Sequence, residues 1–219
     1  MICREGGLRM FTYYMPTQVF FGKGCIAESG QVLADLGKRA LLVTGRHSAK
    51  VNGSQDAFTG KLDELGISWY LFDDVENNPS IDTIRRAAAF AKEKGVDFVV
   101  GIGGGSPMDA AKAIALLCTD DLDDEQLFKG PYKKPLPIVA VPTTAGTGSE
   151  VTKVSVLTNV HAGTKQSINT PLIFPVYAFA DPSFTESVSQ TVTIDTAIDA
   201  LSHAVEGYMS KLSTPMSDV

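Results

Sequence analysis

The 219-residue chain is 44% apolar, 20% charged and 8% aromatic, a composition that excludes disordered and fibrous proteins. Nineteen basic residues against twenty-five acidic ones leave a formal charge of −6, so no overall field favours nucleic acid or an anionic membrane surface. Cys3, Cys25 and Cys118 are odd in number and lack C-x-x-C spacing, which argues against a disulfide framework or a thiolate zinc site and for a reducing compartment.

A prior of about 150 residues per domain gives one large domain plus part of a second. Residues 136–141 and 173–180, the longest apolar stretches, are too short to span a bilayer. Met1 to Met10 lacks the apolar core of a signal peptide, and a cytoplasmic location is expected. Met10 is a candidate start, because the nine residues before it show no periodic pattern.

Residues 10–24 place two β-rich runs around Pro16-Thr17 and close on Gly22 and Gly24, which predicts an N-terminal edge hairpin. Short apolar runs then alternate with helical periodicity. Strands are expected at 40–44, 68–72, 98–102 and 138–141; helices at 54–65, ended by Gly66, at 81–94, ended by Gly95, and at 107–117. This alternation predicts an α/β fold: a Rossmann-like parallel sheet with helices on both faces. Two-sided burial also explains why 98–102 is apolar throughout. The acidic run 120–125 reads as a solvated loop.

Residues 151–180 carry β-rich segments broken by Asn159, Gly163, Asn169, Pro171 and Pro175. Residues 185–209 hold no proline and only Gly207, with Ala197, Ala200, Leu201, Ala204, Val205 and Tyr208 at three- and four-residue spacing. That is an amphipathic helix. The expected organisation is an α/β domain over 1–184 and the opening of an all-helical domain over 185–219.

Chemistry concentrates in three places. At 97–112 a buried strand runs into Gly103, Gly104 and Gly105, and a helix is expected to open with Ser106 as N-cap, Pro107 at its first position and Asp109 three residues after the cap. Backbone N–H groups free of side chains at the positive end of a helix suit a diphosphate; a tight strand-to-helix turn is the alternative. Neither G-x-G-x-x-G nor G-x-x-x-x-G-K-[ST] is matched. The second place, 141–152, comes after the next strand and offers hydroxyls at Thr143, Thr144, Thr147, Ser149 and Thr152 among glycines. Loops at the carboxyl ends of neighbouring strands face one crevice; by itself this loop reads equally as a Thr/Gly surface segment. Third, Asp199 and His203 lie four apart on the predicted helix, so both leave one face. They suit iron, zinc or manganese better than magnesium, or form a plain surface contact.

With Gly-Gly-Gly-Ser-Pro-Met-Asp-Ala-Ala-Lys at 103–112, Pro-Thr-Thr-Ala-Gly-Thr-Gly-Ser-Glu-Val-Thr at 142–152 and Asp-Ala-Leu-Ser-His-Ala-Val-Glu at 199–206, the chain closely resembles the iron-containing (group III) alcohol dehydrogenases. The resemblance runs from about residue 11 onward and includes Phe-Phe-Gly-Lys-Gly at 20–24 and Asn-Asn-Pro-Ser at 77–80. It implies a dinucleotide-binding domain, an all-helical domain and a cleft between them for NAD(P) and a divalent metal. By position, it implies that Gly104, Gly105, Ser106 and Asp109 contact the pyrophosphate and nicotinamide side. Thr143, Thr144, Thr147, Ser149, Thr152, Lys165 and Asn78 would line the rest of the cofactor, and Asp199 and His203 would be the first two metal ligands. Family members continue beyond this length and supply two further histidines, so this chain is expected to hold Fe2+ or Zn2+ weakly.

Family enzymes that use NAD tend to place an acidic residue at the end of strand 40–44. Here Gly45 stands there, followed by Arg46, His47, Ser48 and Lys50. Without the carboxylate, a 2′-phosphate meets no repulsion, and Arg46, Ser48 and Lys50 can bind it, so NADP is expected over NAD; the alternative is that Arg46 and Lys50 simply face water. The resemblance implies metal-assisted hydride transfer between an alcohol and an aldehyde or ketone, without a nucleophilic side chain; no catalytic residue is assigned. The expected partners are a small alcohol or aldehyde and a second copy through the edge hairpin, with no nucleic acid and no membrane. A non-catalytic dinucleotide-binding or dimerisation module is the alternative. A glycerol-dehydrogenase-like or dehydroquinate-synthase-like enzyme fits less well, given Ser106-Pro107 and the Asp199–His203 spacing.

Overall fold

The computed structural model describes residues 10–160 and 163–216. In chain order the elements are β1 (Gln18–Phe21), α1 (Cys25–Ser29), β2 (Arg39–Thr44), α2 (Ser48–Val51), α3 (Ser54–Glu64), β3 (Ser68–Phe72), α4 (Ile81–Lys94) and β4 (Phe98–Gly103). They continue with α5 (Gly105–Thr119), α6 (Asp124–Lys129), β5 (Ile138–Pro142), β6 (Val154–Asn159), β7 (Thr164–Asn169), β8 (Tyr177–Ala180) and α7 (Gln190–Met209).

Six strands form one sheet in the order β1-β8-β5-β4-β2-β3, every neighbouring pair parallel. The central strands β4 and β5 are buried at every residue, as strands covered on both faces must be. One face packs Leu41, Val43 and Val99 against Ile84 and Ala88 of α4 and Ile114 of α5. The other packs Leu42, Phe98, Val100 and Phe179 against Leu33 and against Phe58 and Leu62 of α3. The expected α/β class is therefore the observed one.

Strand β3 lies on one side of β2 and β4 on the other, so the winding reverses between β2 and β4. Their ends are aligned, Thr44 opposite Ile102. In open sheets of this kind the crevice beyond the carboxyl ends at such a reversal is where ligands sit.

Several expectations change. No hairpin forms at the N-terminal edge: β1 alone is a strand, and it pairs parallel with β8, Gln18 opposite Tyr177. Residues 10–17 run without regular structure, with Tyr14 against Phe174 and Thr17 Oγ1 donating to the Pro175 carbonyl at 2.7 Å. The β-rich stretch after 151 divides into an antiparallel β6–β7 hairpin, separate from the main sheet, and β8 within it. The acidic run is only partly loop. Asp123 caps α6 in a reciprocal capping box with Gln126, and Arg85 holds the segment through the Leu122 carbonyl at 2.9 Å and Asp124 at 2.7 Å.

Apolar on nearly every side, α5 is enclosed accordingly. The sheet covers one side, and the β6–β7 hairpin contributes Leu157 and Ile168 to the same cluster from the other. At Gly101 a Cβ would lie 2.9 Å from Met108 Cα and 3.0 Å from the Pro107 carbonyl oxygen, so only glycine lets α5 approach β4 this closely. By contrast, α7, capped by Ser189, buries none of its residues. Among the described residues no helix is long and apolar enough to cross a membrane. Cys25 and Cys118 are free thiols, and burial pushes each up to about 11.

Candidate functional site

The candidate site is built from the segments that leave the carboxyl ends of β4, β5 and β2. At the end of β4, Gly103 has φ 146° and its missing side chain makes room for Pro107, whose Cγ would lie 2.7 Å from a Cβ there. Helix α5 then starts at Gly105, with Gly104 as N-cap and no side-chain cap. This corrects the expectation that Ser106 caps the helix. Ser106 lies inside the first turn, and its Oγ accepts instead from the Asn78 backbone N–H at 3.1 Å. The first turn of α5 therefore has no side-chain capping oxygen, as is also true of α1, α2 and α3, whereas α4, α6 and α7 are capped by Ser80, Asp123 and Ser189.

The loop after β5 lies against that helix start. Thr143 N–H extends the ladder by donating to the Gly103 carbonyl at 2.9 Å. A Cβ at Gly104 would sit 3.1 Å from Thr144 Oγ1, and one at Gly105 would sit 3.0 Å from Thr147 Cγ2. The space those glycines leave is thus shared with two hydroxyl-bearing side chains, so their lack of side chains serves loop packing as well as any ligand.

Asn78 joins a third segment. Its backbone is left-handed, φ 55°, a conformation asparagine tolerates better than most residues. Its carbonyl accepts from Thr158 Oγ1 at 3.0 Å, and its Oδ1 accepts from Lys165 Nζ at 2.8 Å. Gly104, Gly105, Ser106, Thr143, Thr144, Thr147, Asn78 and Lys165 are thereby brought into one neighbourhood by α5, the β5 loop and the β6–β7 hairpin.

Asp109, Ser149 and Thr152 are arranged differently, around a residue that carried no expected role. Lys112 is fully buried, and its Nζ donates to Ser149 Oγ at 2.7 Å, Thr152 Oγ1 at 3.2 Å and the Val154 carbonyl at 2.7 Å. Asp109 accepts from Ser149 Oγ at 2.6 Å and from the Val156 N–H at 2.9 Å. The available signal was a lysine in the otherwise apolar stretch 110–117, three residues after Asp109.

At the end of β2, a Cβ on Gly45 would meet only the Val75 carbonyl, at 3.6 Å. The nearby cations are engaged: Arg46 Nε donates to Asp74 at 3.0 Å and Lys50 to Asp73 at 2.7 Å. Hydrogen bonds from Arg46 and Arg86 hold the Asp74 carboxyl below the ordinary range. Ser48 opens α2, whose N-cap residue, His47, makes no side-chain cap. The hydroxyl of Thr44, the residue before Gly45, is buried with no partner.

Asp199 and His203 share one exposed face of α7, Oδ1 and Nε2 3.6 Å apart. Their chemistry fits a borderline divalent ion. Among the described residues, no group of three or more His, Cys, Asp or Glu side chains converges to complete such a site. The helix approaches the β5 loop at Gly146, where a Cβ would lie 3.0 Å from the Thr196 carbonyl oxygen.

Sheet and loops together define a doubly wound α/β protein whose glycine-rich turns meet at the carboxyl ends of adjacent strands. The model of the family described as iron-containing alcohol dehydrogenase matches residues 16–182, and the chain belongs to that family. It is 37% identical over 202 residues to NADH-dependent butanol dehydrogenase A of Clostridium acetobutylicum, covering 91% of this chain and 52% of the relative. An iron-containing alcohol dehydrogenase structure from Thermotoga maritima superposes with a TM-score of 0.91 at 51% identity, over 95% of this chain and 58% of that one. A sulfoacetaldehyde reductase from Bifidobacterium kashiwanohense, solved with NAD+, superposes at 0.84 and 35% identity, over 93% and 54%. The chain spans about half the length of the curated relatives it matches.

Proposed function

We propose that the chain serves an NAD(P)-dependent, divalent-metal-dependent oxidoreductase that interconverts an alcohol and an aldehyde or ketone by hydride transfer. One observation carries this reading: the side-chain-free helix start after β4 lies against the threonine loop after β5. Uncapped N–H groups at the positive end of a 15-residue helix attract a diphosphate, and the Thr144 and Thr147 hydroxyls stand within reach of the same place. Residues 1–184 form the dinucleotide-binding unit in this reading, and 185–219 open the metal-binding helical one. The matching relatives are named as dehydrogenases and reductases, so a non-catalytic module is not favoured.

Asp199 and His203 would hold the metal, a ferrous ion or zinc in its place, and a later stretch of a longer protein would complete its coordination. Such an ion supplies Lewis-acid polarisation of the substrate oxygen. The chain's own residues bind the dinucleotide and set its nicotinamide end beside α7 through the Gly146–Thr196 approach. The preference for NADP rests on the absence of a carboxylate at 45. A 2′-phosphate there would exchange with Asp74 and Asp73 for Arg46 and Lys50, while the butanol dehydrogenase is named for NADH and the sulfoacetaldehyde reductase was solved with NAD+. The reading also carries a cytoplasmic location, a small alcohol or aldehyde as substrate, and a homodimer through the β1 edge, where Phe21 is 78% exposed. Sedimentation should then give a dimer, and a strict monomer would remove that interface.

The test is calorimetric titration of the chain with NAD+ and NADP+ separately. Saturable binding is expected, tighter for NADP+. No heat and no thermal protection with either would overturn the assignment.

A further inference from the structure

Lys112 is a buried cation to which dinucleotide binding and hydride transfer give no task. An ammonium has three N–H donors and no acceptor, and three acceptors surround this one: Ser149 Oγ, Thr152 Oγ1 and the Val154 carbonyl. Asp109 Oδ1, 3.6 Å away, supplies countercharge. Every donor is used inside the protein, so none is left for a phosphate or a substrate, and any influence on a ligand must pass through the partners. Those partners are well placed. Ser149 and Thr152 flank the turn that closes the 143–152 loop, the loop whose Thr144 and Thr147 lie against Gly104 and Gly105. Asp109 holds the same serine and β6 from the same helix, while Ser106, through Asn78, reaches Thr158 and Lys165 of the β6–β7 hairpin. The polar contacts thus form a closed circuit around the first two turns of α5.

We propose that Lys112 is a positioning residue for dinucleotide binding: its ammonium locks the 143–152 loop to α5, so that Thr144 and Thr147 stay over the helix start. The inference rests on the dinucleotide reading and deepens it. Burying an ammonium is costly even among acceptors, and an alkyl side chain would fill the same slot without that cost. It would also leave Ser149 Oγ, Thr152 Oγ1 and the Val154 carbonyl without the donor that gathers them. Protonation matters for the same reason. Burial lowers the Lys112 pKa to about 8, opposed by Asp109 on its own helix and Glu150 on the loop turn; Ser149, Thr152 and Val154, which complete its surroundings, are uncharged. A neutral amine keeps two donors and turns a lone pair toward an acceptor, so the lock loses a bond as pH rises through that value.

NAD+ and NADP+ are titrated into the 219-residue chain and into Lys112→Met, Ser149→Ala and the double variant, with a melting curve for each. A folded Lys112→Met is expected to bind about tenfold more weakly, and the double variant to lose less than the sum of the two single losses, because both cut the Lys112–Ser149 tie while Ser149→Ala alone also cuts the bond to Asp109. Wild-type affinity should fall severalfold from about pH 7 to about pH 9.5, a step missing from Lys112→Met. A lysine that only fills space would leave the wild-type profile flat over that range. A flat wild-type profile overturns the proposal even where Lys112→Met does not fold; so do wild-type affinity in a folded Lys112→Met and additive losses in the double variant. A wild-type chain that binds neither dinucleotide overturns the nucleotide reading and this inference with it.

Discussion

Two glycines in this chain are glycine for opposite reasons, and substitution separates them. At Gly45 a side chain has room, its Cβ meeting only a carbonyl at 3.6 Å. Gly45→Asp should therefore fold normally and act through charge, repelling a 2′-phosphate and accepting from a ribose 2′-hydroxyl. The ratio of NAD+ to NADP+ dissociation constants should move toward NAD+ by about tenfold, equivalent to about 1.4 kcal/mol; an unchanged ratio would remove Gly45 from the specificity site. At Gly101 there is no room, since the obstacles at 2.9 and 3.0 Å are the backbone of α5 and Ala111. Gly101→Ala should cost about 1–3 kcal/mol and lower the melting temperature by several degrees. Such distinctions lie beyond the sequence, which shows glycine in both places and cannot say whether the missing side chain faces a helix, a loop or a ligand. Ser106 shows the same limit: serine before proline satisfies the pattern of an N-cap, yet Asn78, 28 positions away, takes its hydroxyl.

Among the elements, those defined by local pattern were legible. Strands β2, β4 and β5 show as uninterrupted apolar runs because both faces are covered, and α4 ends at Gly95 because its left-handed C-cap, φ 60°, favours glycine. Elements defined by distant partners were not. The aromatic stretch ahead of β1 has strand composition, but β1's partner is β8, more than 150 positions away, and no short-range feature encodes a parallel pairing of that span. Helix α7 was legible as a helix, while its setting was not. With no buried residue in α7 and full enclosure of most of α5, the two helices should differ widely in local stability. Amide exchange in the 219-residue chain should be fast through 190–209 and slow through 108–117. Equal protection of the two would mean that α7 is covered in solution.

For the molecule as a whole, the β1 edge of the sheet depends on joining the start of the chain to a strand more than 150 positions later, and Asp181 sits at that junction. Placed directly after β8, it accepts from the Gly24 N–H, at the entry to α1, at 2.7 Å, and from Ser183 N–H and Oγ at 2.9 and 2.6 Å. Burial pushes this carboxyl up, but the bonds from Ser183 and Gly24 outweigh it and hold the pKa below its ordinary 3.8. A carboxyl more acidic in the folded state than in the unfolded one adds stability above the unfolded pKa and loses it as pH falls through the folded one. Glu76 behaves alike: burial raises its pKa, and bonds from Ser80 and Thr83 bring it below the usual value. Acid unfolding should accordingly begin as pH drops below about 4. Asp181→Asn retains the shape but turns one acceptor into a donor facing Gly24 N–H or Ser183. It should cost about 1–3 kcal/mol at neutral pH, with the difference from wild type shrinking toward zero in acid. Denaturant melts at about pH 7 and about pH 3 measure both quantities. A difference that persists unchanged in acid would show that Asp181 contributes through shape, and that the sheet edge is held by the β1–β8 ladder without help from its charge.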